Sequence, residues 1–441
     1  MTSSSVPSST AERDALALHD DGHSIQPGEI AIGVIIGRTS EVFDFFVYAI
    51  ASVLVFPKLI FPWVDPLTGT IYSFAVFALA FMARPVGTVV FSMIDQRWGR
   101  GAKLTIALFL LGGSTAAIAF LPGYETIGIS AALLLILFRM GQGFALGGSW
   151  DGLSSLLAMN APEHKRGWYA MLPQLGAPLG LIVASLLFTF LIAVLPAQDF
   201  LDWGWRYPFF VAFAINVVAL FARLRIVVTP EYQELFEKRS LEPALIAETA
   251  RSEWRTIAVG SFAPLASFAM FHMVTVFPLS WVFLFTKDSP VRFLMIEAIA
   301  ALFGIGAIIV SGMLADRFGR RTVLGITAAA IAMFSGFAPQ LLDAGEAGET
   351  FFMLIGFILL GLSFGQSSGA ISSSFAQRHR YTGSALTSDL AWLFGAGFAP
   401  LAALFLSANF GLLAAGAYLL SGALCTLIAL WLNTELARSI E

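Results

Sequence analysis

Gly312-Met313-Leu314-Ala315-Asp316-Arg317-Phe318-Gly319-Arg320-Arg321 and Ser92-Met93-Ile94-Asp95-Gln96-Arg97-Trp98-Gly99-Arg100 are two copies of one short connection. Each sets Arg-x-Gly-Arg and a nearby acid between two long apolar runs. A glycine at the turn lets the flanking helices approach closely, an Asp can sit at a helix N-terminus, and the Arg side chains can anchor in lipid headgroups. A charge cluster of this kind can lock one conformation and release in another. One copy alone reads as readily as a basic anchor at a membrane surface. Two copies, each after the second apolar run of its half, imply duplicated bundles. The candidate gating residues are Asp95, Arg97, Gly99 and Arg100 in the first copy and Gly312, Asp316, Arg317, Gly319, Arg320 and Arg321 in the second.

The runs around these loops extend over the whole chain. Twelve stretches are long and apolar enough to cross a bilayer, at about 30–56, 69–92, 104–121, 130–158, 167–194, 206–227, 255–285, 291–314, 321–342, 350–375, 382–406 and 410–432. They are continuous rather than alternating, which excludes a β-barrel. Of 441 residues, 57% are hydrophobic and 12% charged, against about 25% charged in soluble domains. So few charges cannot coat a soluble protein of this size. The chain reads as an all-α polytopic membrane protein whose first partner is the lipid bilayer. Net charge is −4 with no basic stripe, so no nucleic-acid partner is expected. The single Cys425 rules out an intrachain disulfide and a Cys-based metal site. Zinc-peptidase and P-loop signatures are absent from the sequence. No metal, cofactor or enzymatic activity is expected, and transport must draw on an ion gradient or the solute gradient itself.

Lys and Arg set the orientation. With the N-terminus inside, 18 of the 25 fall in cytoplasmic segments and four (Lys58, Arg206, Lys287, Arg292) outside, while Arg38, Arg84 and Arg139 lie within spans. Both termini are therefore expected in the cytoplasm, the bilayer being a plasma or bacterial inner membrane. The polar, Ser-rich segment 1–29 reads as a disordered tail. The expected organisation is a six-helix bundle at 30–227, a charged linker at 228–254, a second bundle at 255–433 and a tail at 434–441.

The loop pair resembles the signature of the major facilitator superfamily. Other stretches are similar to its metabolite:proton symporter family: Glu41-Val42-Phe43-Asp44-Phe45-Phe46-Val47-Tyr48, Ala83-Arg84-Pro85-Val86-Gly87, Arg139-Met140-Gly141-Gln142-Gly143, Pro173-Gln174-Leu175-Gly176, Trp203-Gly204-Trp205-Arg206, Thr229-Pro230-Glu231 and Arg380-Tyr381-Thr382-Gly383. The resemblance covers nearly the whole chain. It implies two six-helix bundles around a central cavity, alternating access, and proton-coupled uptake of solutes such as proline, betaine, α-ketoglutarate, citrate or shikimate. Four positions depart from the pattern. Gln96 stands where the family has Asp, with Asp95 one place earlier. Span four carries Ser149-Trp150-Asp151 where the family's acid comes two residues sooner. Asp389 replaces Gln, and Arg38 replaces a small polar residue.

Ionisable groups inside a membrane are expensive and need a partner, a cavity or a function. Eight survive within the spans: Arg38, Glu41, Asp44, Arg84, Arg139, Asp151, Glu297 and Asp389. Arg38, Glu41, Asp44 and Tyr48 share an arc of ~120° on span one, which therefore lines the cavity. Asp44 lies ~21 Å from the inner start of its span and Arg139 ~13 Å from the outer start of span four, so the two are at similar depth. Spans one and four are neighbours in the fold that the resemblance implies, and an Asp44–Arg139 pair is expected. Protonation of Asp44 would break that pair and free the bundle to move; Glu41 is the other candidate carrier. A static buried ion pair is the structural alternative. Arg38 either attracts an anionic substrate or is neutralised by Glu41 three residues on. Arg84 reads first as a snorkelling anchor, and Glu297 as reaching water near the outer end of span eight. Gln142, Tyr48, His272, Gln366 and Asp389 complete the candidates for substrate contact, though a lone His in a bundle more often serves as a structural donor. Gly141, Ala145, Gly148 and Gly152 form a small-residue face for close helix packing.

The function expected from these features is proton-coupled symport of a small organic acid or other polar metabolite by a monomer. A proton-antiport exporter and a non-transporting membrane sensor are the alternatives.

Overall fold

A computed structural model describes residues 27–149, 157, 161–227, 244–286, 288–372, 375 and 377–433. Most of the expected N-terminal tail, residues 228–243 of the expected linker at 228–254, the C-terminal tail and Asp151 lie outside the described residues.

All regular structure among the described residues is helical. Among the described residues, nine helices are long and apolar enough to span a membrane. Three further spans bring the number to twelve. Pro66–Ala119 is two spans joined end to end, broken at Gly99 with φ 83°. Pro27–Leu54 is long enough, but Arg38, Glu41 and Asp44 interrupt its apolar character. Arg320–Ser335 is a short span nine, followed by a 3-10 turn at Ala338–Asp343, so the helix ends before the expected 342. The other spans are Ser130–Gly148 (four), Arg166–Val194 (five), Gly204–Leu224 (six), Leu265–Phe285 (seven), Pro290–Phe318 (eight), Gly345–Ala370 (ten), Arg380–Phe410 (eleven) and Ala414–Leu432 (twelve).

The two Arg-x-Gly-Arg loops share one backbone geometry. Gly99 and Gly319 both turn at φ 83°, a conformation that side chains with a Cβ rarely tolerate. The repeat is thus visible in the chain path as well as in the residues.

Helix breaks fall at prolines and near the centre. Span seven is interrupted at Val276, just before Pro278, and span eleven runs into a π-helical turn at Trp392–Gly397 ahead of Pro400. Such turns loosen a helix and recur at functional sites. Large apolar side chains such as Leu133, Phe190, Val218, Met333 and Trp431 are exposed on the outer faces, as contact with lipid tails requires.

Within the first bundle span four packs closely on span two. A Cβ on Gly143 would lie 2.1 Å from the Ala80 carbonyl oxygen, and one on Gly147 2.4 Å from that of Arg84. These glycines make the close approach. Gly141 and Gly148, expected in that role, meet the side chains of Ser114 and Phe91. Both obstacles to Gly143 and Gly147 are main chain and cannot swing aside. Gly143→Ala should therefore lower stability by about 1–3 kcal/mol, read as a reduced midpoint of thermal unfolding. An unchanged midpoint would contradict the packing described.

Candidate functional site

Asp44 sits inside the first bundle, 2% exposed, where four spans converge. Its Oδ2 accepts from Thr115 Oγ1 on span three at 2.6 Å and from Asn216 Nδ2 on span six at 2.8 Å. Its Oδ1 accepts from Gln142 Nε2 on span four at 3.2 Å. Asn216 is aimed by Ser40, whose hydroxyl donates to its Oδ1 at 2.8 Å. Thr115 Oγ1 also lies 3.0 Å from the Leu111 carbonyl. One hydroxyl proton serves one acceptor at a time. With Asp44 ionised, Thr115 donates to it. With Asp44 protonated the bond can reverse, the carboxyl donating to Thr115 and Thr115 donating to Leu111. The site can satisfy either protonation state without moving a helix.

Arg139 does not touch Asp44 directly, contrary to the pairing expected from depth. Its Nη1 donates to Gln142 Oε1 at 3.0 Å, and Gln142 passes the contact on to Asp44. The reason is spacing on one helix: Gln142 follows Arg139 by three residues and shares its face. The guanidinium instead lies over aromatic rings, 3.9 Å from the centroid of Tyr48, 4.9 Å from Phe77 and 5.2 Å from Phe45. Arg139 is 1% exposed, yet its Nε and Nη2 have no hydrogen-bond partner among the described residues. The Tyr48 hydroxyl is likewise buried and unmatched.

Phe45 links this group to the second bundle. Its ring stacks on His272 of span seven at 5.0 Å. Phe77, Phe81, Phe271 and Trp392 close around the imidazole. His272 is fully buried, with Nδ1 3.4 Å from Thr275 Oγ1 and Nε2 unmatched. The adjoining interbundle cavity, lined by Phe46, Leu181, Phe271, Thr275 and Phe364 among others, measures about 20 Å³, room for about one water. Buried polar atoms are nearly always paired. Three side chains with unmatched buried polar atoms, Arg139, Tyr48 and His272, thus lie on either side of Phe45.

A family model described as Major Facilitator Superfamily matches residues 40–389. The chain belongs to the major facilitator superfamily. The Escherichia coli K12 protein named inner membrane metabolite transport protein YhjE is 38% identical over 416 residues, covering 92% of this chain and 94% of that one. The shikimate transporter of the same organism is 30% identical over 384 residues, covering 84% and 85%. Its proline/betaine transporter is 28% identical over 407 residues, covering 89% and 80%. A crystal structure of a D-xylose-proton symporter superposes with a TM-score of 0.69 at 18% identity, covering 90% of this chain and 96% of that one. This major facilitator is an integral membrane transporter, and its relatives are transporters rather than enzymes.

The remaining candidates of this major facilitator fall into place around that centre. Glu41 forms two ion pairs, with Arg38 Nη1 at 3.0 Å and Arg223 Nη1 at 2.7 Å. Arg38 is thus neutralised by Glu41, one of the two roles open to it. Arg223 counted in the sequence only as a cation near the end of span six. Three candidates hold the bundles together instead of lining the centre. Arg84 is no snorkelling anchor: its Nε lies 2.7 Å from Asp389 Oδ1 across the bundle interface, and Thr88 Oγ1 donates to Asp389 Oδ2. Asp389, expected at the substrate, is occupied by those two residues. Gln366 Nε2 donates to the Gly167 carbonyl of span five at 3.2 Å. Both misreadings of span two and span eleven have one cause, that depth along a helix does not tell what faces it from the other bundle.

The two signature loops behave differently. Asp316 accepts from the backbone N–H groups of Gly167 at 2.6 Å and Trp168 at 3.1 Å, at the start of span five. That is the helix N-terminal seat expected for it. Gly312 permits the approach, since a Cβ there would stand 3.2 Å from the Trp168 Cα. Arg320 Nη1 donates to the Gly369 carbonyl at 2.9 Å. In the first loop Asp95 stays within its own bundle, 3.0 Å from Lys103 Nζ and 3.8 Å from Arg100 Nε. Lys103 then reaches across to the Tyr381 hydroxyl at 2.8 Å, and Arg100 lies over the Tyr381 ring at 5.0 Å. Gln96 has moved the acid back by one residue, and the cations take over the crossing. Arg97 and Arg317 are exposed beside Trp98 and Phe318, and Arg321 is half-buried.

Thr115, Asn216 and Arg223 are functional-site residues that the sequence reading passed over. A lone amide in the apolar run of span six was the available signal for Asn216.

Proposed function

We propose that this transporter carries a small carboxylate-bearing metabolite together with a proton. The observation that carries the reading is the chain Asp44–Gln142–Arg139, a carboxyl adapted to two protonation states joined by one amide to a guanidinium with two unmatched donors. A substrate carboxylate would take the free donors Arg139 Nε and Nη2, leaving Nη1 on Gln142. Its charge would offset that of the guanidinium, which otherwise favours ionised Asp44, so solute and proton load together. Phe45, in contact with both Arg139 and His272, transmits occupancy of the site to the bundle interface. The path lies within one chain, so a monomer suffices. The excess of Lys and Arg at the signature-loop end supports a cytoplasmic position for that end and for both termini.

The reading is tested by a thermal-shift screen of the purified protein against carboxylates, amino acids, betaines and sugars at two pH values. A ligand at a hundredfold excess over its Kd stabilises by about 2.7 kcal/mol. Small carboxylates should raise the melting temperature, more so at the lower pH, and Arg139→Gln should abolish the rise. Stabilisation by neutral sugars but by no carboxylate would refute the substrate class.

A further inference from the structure

Spans five and eight cross the bundle interface as an antiparallel pair, held by a carboxyl group at each end. At the signature-loop end Asp316 takes two backbone N–H groups of span five. Nineteen residues back along span eight, ~28 Å away, Glu297 meets Ser185 of span five, whose Oγ lies 2.9 Å from its Oε2. Glu297 was expected to reach water. It is 0% exposed, and its Oε1 has no partner among the described residues.

Among the described residues, no cation is paired with Glu297. The ionisable side chains of span five, Arg166 and Tyr169, both lie in its first turn at the far end. The nearest cation along span eight, Arg292, is engaged by Glu349 at 2.5 Å, Asp288 at 3.2 Å and Glu346 at 3.7 Å. Those acids are the titratable groups of span ten and, among the described residues, of the turn before span eight. Span seven contributes His272, which is held in the aromatic cluster around Phe45, and span nine has Arg320 and Arg321 at the far end. A carboxylate removed from water without a cation is strongly disfavoured, whereas a neutral carboxylic acid needs only a hydroxyl for company.

We propose that Glu297 is a second proton-binding site, which is protonated when spans five and eight are closed at the end away from the signature loops and gives up its proton to water as that end opens. Buried here with no cation and only the Ser185 hydroxyl beside it, the group is tolerated as the neutral acid and not as the carboxylate. Proton uptake therefore latches this gate, while Asp316, needing no proton, latches the other. The inference rests on the proton-coupled reading above and adds a gate to it.

The test uses the full chain in lipid nanodiscs, with Cys425→Ser and spin labels on Ala197→Cys and Ser289→Cys, both exposed positions at the ends of spans five and eight. The interlabel distance should lengthen as pH rises. Glu297→Gln should hold the short distance at every pH, Glu297→Asp should keep the pH response, and Asp44→Asn should keep it too. A pH-dependent lengthening that persists in Glu297→Gln, or its absence from the unsubstituted protein, would overturn the proposal. Loss of the distance change alongside intact solute-driven proton flux would sink this gate alone. A normal distance change without any such flux would sink the symport reading alone.

Discussion

Asp44→Asn abolishes uphill accumulation while leaving the protein folded and able to equilibrate solute down its gradient. Asn fills the same volume and still accepts from Thr115 and Asn216, whose donors lie 2.6 and 2.8 Å from Asp44 Oδ2. Its amide nitrogen faces Gln142 Nε2, donor against donor, so one hydrogen bond is lost at about 1–3 kcal/mol. What it cannot do is take and release a proton. For a monoanion carried with one proton, each unit of imposed pH gradient is worth about 1.4 kcal/mol, a tenfold accumulation ratio. Proteoliposomes containing the unsubstituted protein should approach that ratio, and those containing Asp44→Asn should stop at unity. Exchange of labelled for unlabelled solute should survive. A variant that still accumulates solute tenfold would remove Asp44 from the coupling, with Glu41 next in line.

The second large effect is at the bundle interface. Arg84 and Asp389 are 2.7 Å apart with side chains 10% and 4% exposed, one from each bundle. Removing one member of a buried ion pair leaves the other charge uncompensated, at about 3–5 kcal/mol. The penalty falls on the closed form alone, because water reaches both groups once the signature-loop end opens. Arg84→Ala should therefore shift the population toward that open form by a factor of ~100 or more. Ala385, 5% exposed at this interface, reports the change. A cysteine placed there in a Cys425→Ser background should react with a soluble maleimide at least ~100 times faster in Arg84→Ala than in its parent. Replacing both members, Arg84→Met with Asp389→Leu, should return the rate toward the parental value. Equal rates in all three proteins would show that the pair does not hold the gate.

Periodicity and charge were enough to read the architecture. Continuous apolar runs must be helices in lipid, because no other open structure satisfies its own backbone there. The matched Arg-x-Gly-Arg loops then identified the repeat, and Gly99 and Gly319 show it again in their shared φ of 83°. The polar face of span one was legible for the same reason, since residues three or four apart must lie together. What sequence did not reveal was any relation that crosses from one helix to another. Asp44 and Arg139 were placed at one depth, yet the amide of Gln142 lies between them. Arg84 and Glu297 looked like residues at the edge of the bilayer, and both are buried against the opposite bundle. Thr115 carries no charge and belongs to an apolar run, and Asn216 stood out there only as a lone amide, with nothing to say what it faces.

Proteoliposomes loaded with a fluorescent pH indicator measure solute-coupled proton movement directly. Purified protein would be challenged from outside with short hydroxy- and keto-acids, proline, betaine and neutral sugars in turn, without an imposed gradient. The account predicts that a carboxylate solute acidifies the lumen, and that Asp44→Asn and Arg139→Gln abolish the signal. Alkalinisation of the lumen on addition of solute, the signature of antiport, or acidification undiminished in Asp44→Asn would contradict it.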